Sequence, residues 1–178
     1  PRTGEQLWER PADGRDTVVA SPIFAAGLLI VPAQWGTLAL ELDLASPSSQ
    51  PRERYRVRRA SPQVPTPIVA GDLLYLWSNG GIVSCLELGS GAELWRERIS
   101  GEFYASPVLA DGRLWSVTRA GELCALTVDR SFAAPARLDL GEASDASPAC
   151  AGGLLLLRTR THLFALGAGD RGEHGALA

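Results

Sequence analysis

Between residues 65 and 99 the apolar positions fall into four short runs: Val69, 73–77, 82–86 and Leu94-Trp95. Gly/Asp, Asn-Gly-Gly and Gly-Ser-Gly separate them. Each run is too short for a helix and is rich in β-branched, aromatic or leucine residues, and the residues between runs tolerate positive φ. The pattern predicts four antiparallel strands joined by hairpins, the content of one propeller blade.

The rest of the chain repeats this stretch. Ser21-Pro22, Thr66-Pro67, Ser106-Pro107 and Ser147-Pro148 each open a unit, with prolines 45, 40 and 41 residues apart. A turn with Gly27, Gly71-Asp72, Asp111-Gly112 or Gly152-Gly153 follows, then a second apolar strand over 28–31, 73–77, 114–117 or 154–157. A second glycine comes at Gly36, Gly81 and Gly121, where the last copy has Thr161, and the third strand ends on Leu40, Leu86, Leu126 or Leu166. A period of about 40 residues with four strands per unit is the signature of a blade array.

The predicted fold is therefore all-β, a β-propeller of four-stranded antiparallel blades with about four blades over residues 1–167. The units lie near 20–58, 65–99, 105–140 and 146–167. Residues 3–10 read as the outer strand of a blade. Two architectures fit: a four-bladed ring in which 3–10 pairs with the sheet ending at Leu166, or half of a seven- or eight-bladed ring. The tail, 168–178, has no periodicity and is expected to be disordered.

Composition narrows the function. The 178 residues are 46% hydrophobic and carry a net charge of −3, which argues against a nucleic-acid surface. No run approaches the roughly 18 apolar residues of a membrane span. All seventeen basic residues are arginine, so neither a phosphate-loop lysine nor a Schiff-base lysine lies in the chain. Cys85, Cys124 and Cys150 are too scattered for a disulfide framework and are expected as small buried apolar residues. With the repeats aligned, Cys85 falls one place after Cys124, so their side chains should leave opposite faces of their sheets. His162 is expected at a hairpin rim, and His174 lies in the tail. No nucleophile elbow is present, and no catalytic or metal-binding residue is nominated.

The fourth strand of the first unit departs from the repeat. Arg52, Arg54, Arg56 and Arg58 alternate with Glu53, Tyr55 and Val57, so an extended strand would set four guanidinium groups on one face. That face suits the solvated edge of an outer strand, where charge discourages sheet-to-sheet pairing, or else a phosphate- or carboxylate-bearing partner.

The unit Ser-Pro-Val, Gly-x-Leu-Tyr, Gly-x-Leu-x-Ala-Leu, then Thr/Ser-Gly and Trp, resembles the pyrroloquinoline-quinone-type repeat of the quinoprotein-like β-propellers. That family includes periplasmic barrel-assembly scaffolds and quinone-dependent dehydrogenases. The resemblance covers residues 3–167. It implies a blade-docking role for Thr3, Gly4 and Trp8 and for Glu87, Ser90, Gly91 and Trp95, with the tryptophans stacked between blades. It also implies a protein partner, a periplasmic or extracellular location, and a non-catalytic scaffold of the bacterial cell envelope. The hairpins at Asn79-Gly80 and Arg119-Ala120 and the arginine strand are the expected contacts, and self-association is expected if the ring is incomplete. The dehydrogenases of the family are similar to one another in a vicinal cysteine pair that this chain lacks, so no cofactor is nominated, pyrroloquinoline quinone included. Two alternatives accompany the resemblance: a partial quinoprotein binding the quinone or a small polyol, and the C-terminal part of a longer enzyme.

Overall fold

The computed structural model of the chain describes residues 3–11, 19–33, 35–59 and 61–167, all strand, turn and connection. Blade 1 comprises β1 (Ile23–Ala25), β2 (Leu28–Val31), β3 (Thr37–Glu41) and β4 (Arg52–Val57). Blade 2 comprises β5 (Ile68–Ala70), β6 (Leu73–Trp77), β7 (Ile82–Glu87) and β8 (Glu93–Arg98). Blade 3 comprises β9 (Val108–Ala110), β10 (Arg113–Val117), β11 (Glu122–Thr127) and β12 (Ala136–Asp139). Blade 4 has β13 (Ala149–Ala151), β14 (Leu154–Arg158) and β15 (Leu163–Gly167) among the described residues. Within each blade the strands pair antiparallel in chain order, as the repeat predicts.

Strand side chains alternate between faces, so each blade offers one apolar face to either neighbour. Leu74, Leu76 and Leu86 of blade 2 pack on Leu28, Ile30 and Ala39 of blade 1. Tyr75, Trp77, Val83 and Cys85, on the other face, pack on Leu114, Cys124 and Leu126 of blade 3. Leu155 and Leu157 of blade 4 pack on Leu123 and Trp115 of blade 3. The core is thus a series of slabs between blades, and burial of each large side chain contributes roughly 1.5–3 kcal/mol. Cys85 and Cys124 leave opposite faces of their own sheets, and both enter the slab between blades 2 and 3. Cys150 corrects the expectation of burial: it is exposed, on the rim of a cleft between blades 3 and 4.

The first strands meet along one side of the array, where β9 touches both β5 and β13. The Ser/Thr-Pro positions lie at that inner edge and explain their own recurrence. The Ser21 amide donates to Thr66 Oγ1 (3.3 Å), that of Thr66 to Ser106 Oγ (3.0 Å), and that of Ser106 to Ser147 Oγ (2.9 Å). Each hydroxyl satisfies the amide of the preceding unit, and the proline after it holds that residue extended and needs no acceptor of its own.

Residues 3–10, expected as an outer blade strand, form no backbone ladder with any of the sheets, and among the described residues no hydrogen bond joins them to β15. A strand requires a ladder beside it, and this segment instead lies against blade 1. There Arg10 donates to Pro51 O (3.4 Å) and pairs with Glu53 (2.8 Å). The tail expected to be disordered, 168–178 with His174, lies outside the described residues.

Candidate functional site

Two outer strands carry an aromatic residue at the same register position. In blade 2 the cross-strand row is Tyr75, Cys85, Trp95, with a β-bulge between Cys85 and Leu86. In blade 1 the row is Ile30, Ala39, Tyr55, with a bulge between Ala39 and Leu40. The bulge kinks the outer strand and re-aims the aromatic toward the following blade.

Trp95 Nε1 donates to Asp129 O of blade 3 (3.2 Å), and its ring lies 5.9 Å from Tyr75 and 5.3 Å from Phe132. Tyr55 Oη donates to Leu88 O of blade 2 (2.6 Å), and burial pushes this phenol up to about 12. Its ring lies where a Cβ on Gly91 would stand, 2.4 Å from that position. Gly91 therefore serves twice, by its left-handed φ of 72° and by leaving room for the ring. Ser90 Oγ closes the turn, donating to Glu87 (3.2 Å) and accepting from the Ala92 amide (3.2 Å). Glu87 and Asp72 also hold Arg130, which reaches back from blade 3.

Trp8 is half-buried beside Leu42, Asp43, Leu44, Pro47 and Ser49, the β3–β4 connection of blade 1. It thus faces the same kind of turn that receives Tyr55 in blade 2. Gly4 has a φ of 73°, and the Glu5 amide donates to Thr3 Oγ1 (3.4 Å), reproducing the Gly91 and Ala92–Ser90 geometry. Sequence reading missed Tyr55, because the connection before it (42–51) is twice the length of that before Trp95 (88–92).

The four arginines do not share a face. The bulge places Arg54 out of register, pairing Arg52 with Glu41 and Arg56 with Leu38 on opposite sides of the sheet. Arg52 is ion-paired to Glu41 (2.6 Å), and the mostly buried Arg56 to Glu53 (3.1 Å). Arg54 and Arg58 are exposed, and the described residues give neither an ion pair. The hairpin residues also have structural partners. Asn79 Oδ1 accepts from the Gln63 and Val64 amides (3.3 and 3.1 Å). Arg119 pairs with Asp145 (2.8 Å) and Glu102 (3.2 Å) and lies 4.3 Å over Tyr104.

Glu142 is a structural cap that the sequence did not flag. It follows β12, and its carboxylate accepts from Thr159 Oγ1, Thr161 Oγ1 and the Thr161 amide (2.9 Å) in the β14–β15 hairpin. Hydrogen bonds from Thr159 and then Thr161, with a smaller one from His162, hold its carboxyl down at about 2. A lowered folded value stabilises above the unfolded one, near 4.5, and that contribution is lost as pH falls through about 2. Thermal melts should therefore show wild type and Glu142→Gln differing near neutral pH and converging between about pH 4.5 and pH 2; a constant difference would refute the linkage.

Among the described residues no three His, Cys, Asp or Glu side chains converge on one point, and no helix is long and apolar enough to cross a membrane. Burial raises both inner thiols, Cys124 to about 11.

Residues 1–170 match the family described as outer membrane protein assembly factor BamB. The structure of BamB from Moraxella catarrhalis superposes with a TM-score of 0.61 at 20% identity, over 79% of this chain and 42% of that one. The computationally designed Ika4 protein superposes with a TM-score of 0.61 at 12% identity, over 93% of this chain and all of that one. A europium-containing methanol dehydrogenase gives 0.50 at 12% identity, over 64% and 23%. At these identities the likeness is one of fold. The chain spans about two-fifths of the length of the BamB structure. No curated protein matches the sequence.

Proposed function

The chain belongs to the PQQ-type β-propeller family of the outer membrane protein assembly factor BamB, and from that premise we propose that it is a non-catalytic scaffold of the bacterial cell envelope that holds a protein partner. Family membership supports this, as does the array of rigid sheets whose loops and outer strands present side chains to solvent. The single observation that carries the contact surface is the exposure of Arg54 and Arg58, which form no close ion pair among the described residues, whereas Arg52 and Arg56 are paired to Glu41 and Glu53. An exposed guanidinium that is in no close ion pair presents donors to a carboxylate or phosphate. The proposal includes a periplasmic location and neither a catalytic residue nor a bound quinone. The open side of blade 4, where Leu154 and Leu163 are exposed, is the face on which a further blade or a second copy would stack.

The test is charge reversal. The double variant Arg54→Glu/Arg58→Glu, used as bait against the solubilised envelope fraction of the encoding organism, should lose at least about tenfold of partner capture. Its melting temperature should stay near wild type, because surface changes away from partners usually cost under about 0.5 kcal/mol. Unchanged capture would remove the arginines from the contact surface, and no envelope protein captured by either bait would overturn the scaffold function.

A further inference from the structure

The β2–β3 hairpin of blade 1 carries Trp35, which is 61% exposed. The matching positions of blades 2 and 3 are Gly80 and Ala120, so the blade repeat does not require a ring there. Among the described residues the Trp35 indole has no ring contact and no hydrogen bond. The hairpin that carries it is nonetheless fixed against the end of β4. Ser61, in the connection after β4, donates from Oγ to Ala33 O (3.2 Å) and is hydrogen-bonded to Thr37 Oγ1 (2.9 Å). The Gly36 amide donates to Ala33 O (3.1 Å), and a Cβ at Gly36 would stand 3.0 Å from Arg58 Cα. Trp35 is therefore held one residue from the point where the hairpin touches Arg58, which is exposed and in no close ion pair among the described residues. Tryptophan and arginine are the side chains that dominate binding hot spots, and a pair already held in place loses little freedom on binding.

We infer that Trp35 and Arg58 together recognise an acidic segment of a partner polypeptide, with a carboxylate held by the guanidinium and a neighbouring apolar side chain laid on the indole. The inference rests on the reading of Arg54 and Arg58 as the contact surface and names the chemistry of what that surface binds. A polypeptide fits better than an anionic membrane surface. Interfacial binding needs a broad apolar face flanked by many cations, whereas the chain has a net charge of −3 and the described residues of this hairpin offer a single exposed ring.

The test follows the indole N–H signals by ¹H–¹⁵N NMR, with the Trp35 signal assigned by its loss in Trp35→Phe. The probe is the capped peptide acetyl-Gly-Phe-Glu-Glu-Gly-amide, titrated to about 10 mM, a range that covers millimolar affinity. The Trp35 signal should shift saturably while those of Trp8, Trp77, Trp95 and Trp115 stay in place. The same peptide with glutamine for both glutamates should bind at least about fivefold more weakly, and Arg58→Glu should weaken the acidic peptide at least about tenfold. No saturable shift, equal affinity for the glutamine peptide, or unchanged affinity in Arg58→Glu would overturn the inference. Cosedimentation with phosphatidylglycerol vesicles that is lost in Trp35→Ala would assign the hairpin tip to a membrane surface and overturn it as well. Trp35→Ala also separates this inference from the reading it rests on. Its melting temperature should stay near that of wild type, and it should lose capture of the envelope partner as Arg54→Glu/Arg58→Glu does. If the arginine variant loses capture and Trp35→Ala keeps it, the arginine surface stands and this inference falls.

Discussion

Gly121→Ala is expected to destabilise the chain by more than about 4 kcal/mol, whereas Gly112→Ala, nine residues earlier, should cost only about 1–2 kcal/mol. Both glycines have left-handed backbones, with φ of 94° and 66°. They differ in what a methyl group would meet. At Gly112 nothing lies within 4 Å, so the cost is backbone strain alone. At Gly121 the Cβ would stand 1.9 Å from Glu142 O, in the connection that leaves β12 for blade 4. Relief would require breaking the Leu140 amide to Gly121 O bond (2.9 Å) and moving the segment that carries the Glu142 cap. The same collision recurs at Gly81 with Ile99 O and at Gly36 with Val57 O. Blade 4 has no fourth strand among the described residues, and at Thr161 the glycine is dispensable. Thermal melts of both variants check this. Equal losses would mean that strain, not the collision, governs the position.

Trp95→Ala should cost about 3–5 kcal/mol, the range for removing a buried aromatic side chain. The indole is 9% exposed and closes the outer part of the slab between blades 2 and 3, against Tyr75 and Phe132. Its loss leaves no orphan acceptor, because Tyr75 Oη also donates to Asp129 O (3.2 Å). The cost is therefore mostly packing, and Trp95→Phe should recover most of it. In a repeat array each unit depends on its interfaces with its neighbours. Weakening this one should uncouple blades 1 and 2 from blades 3 and 4, and the melt should broaden or split. A loss under about 1 kcal/mol would show that the docking aromatic carries little of the interface.

Repetition made the fold legible. Glycine turns, leucine-ended third strands and the opening Ser/Thr-Pro recur at one period, and the strand bounds follow, as at 28–31 and 73–77. The phase of Cys85 against Cys124 could be read because side chains alternate strictly until a bulge intervenes. The bulge is what the sequence hides. It has no residue signature at Arg54 or Leu94, yet it shifts the alternation by one, dispersing the arginines and turning Tyr55 toward blade 2. The hydroxyl-to-amide links between units also escape a linear reading, because each joins residues 40 to 45 positions apart. Cys150 looked like a core residue because its strand is apolar, yet it is exposed on the rim of the cleft between blades 3 and 4.

Hydrogen exchange resolved by blade, on wild type and Trp95→Ala together, bears most directly on the claim that consecutive blades are held by docked aromatics. In wild type the amides of β6, β7, β10 and β11 should exchange in one slow group, and those of β14 and β15, in the blade where Leu154 and Leu163 are exposed, should exchange faster. In Trp95→Ala the slow group should divide between blades 2 and 3, with β6 and β7 keeping their protection longer than β10 and β11. Uniform exchange across all blades in wild type, unchanged in grouping by the substitution, would contradict the account.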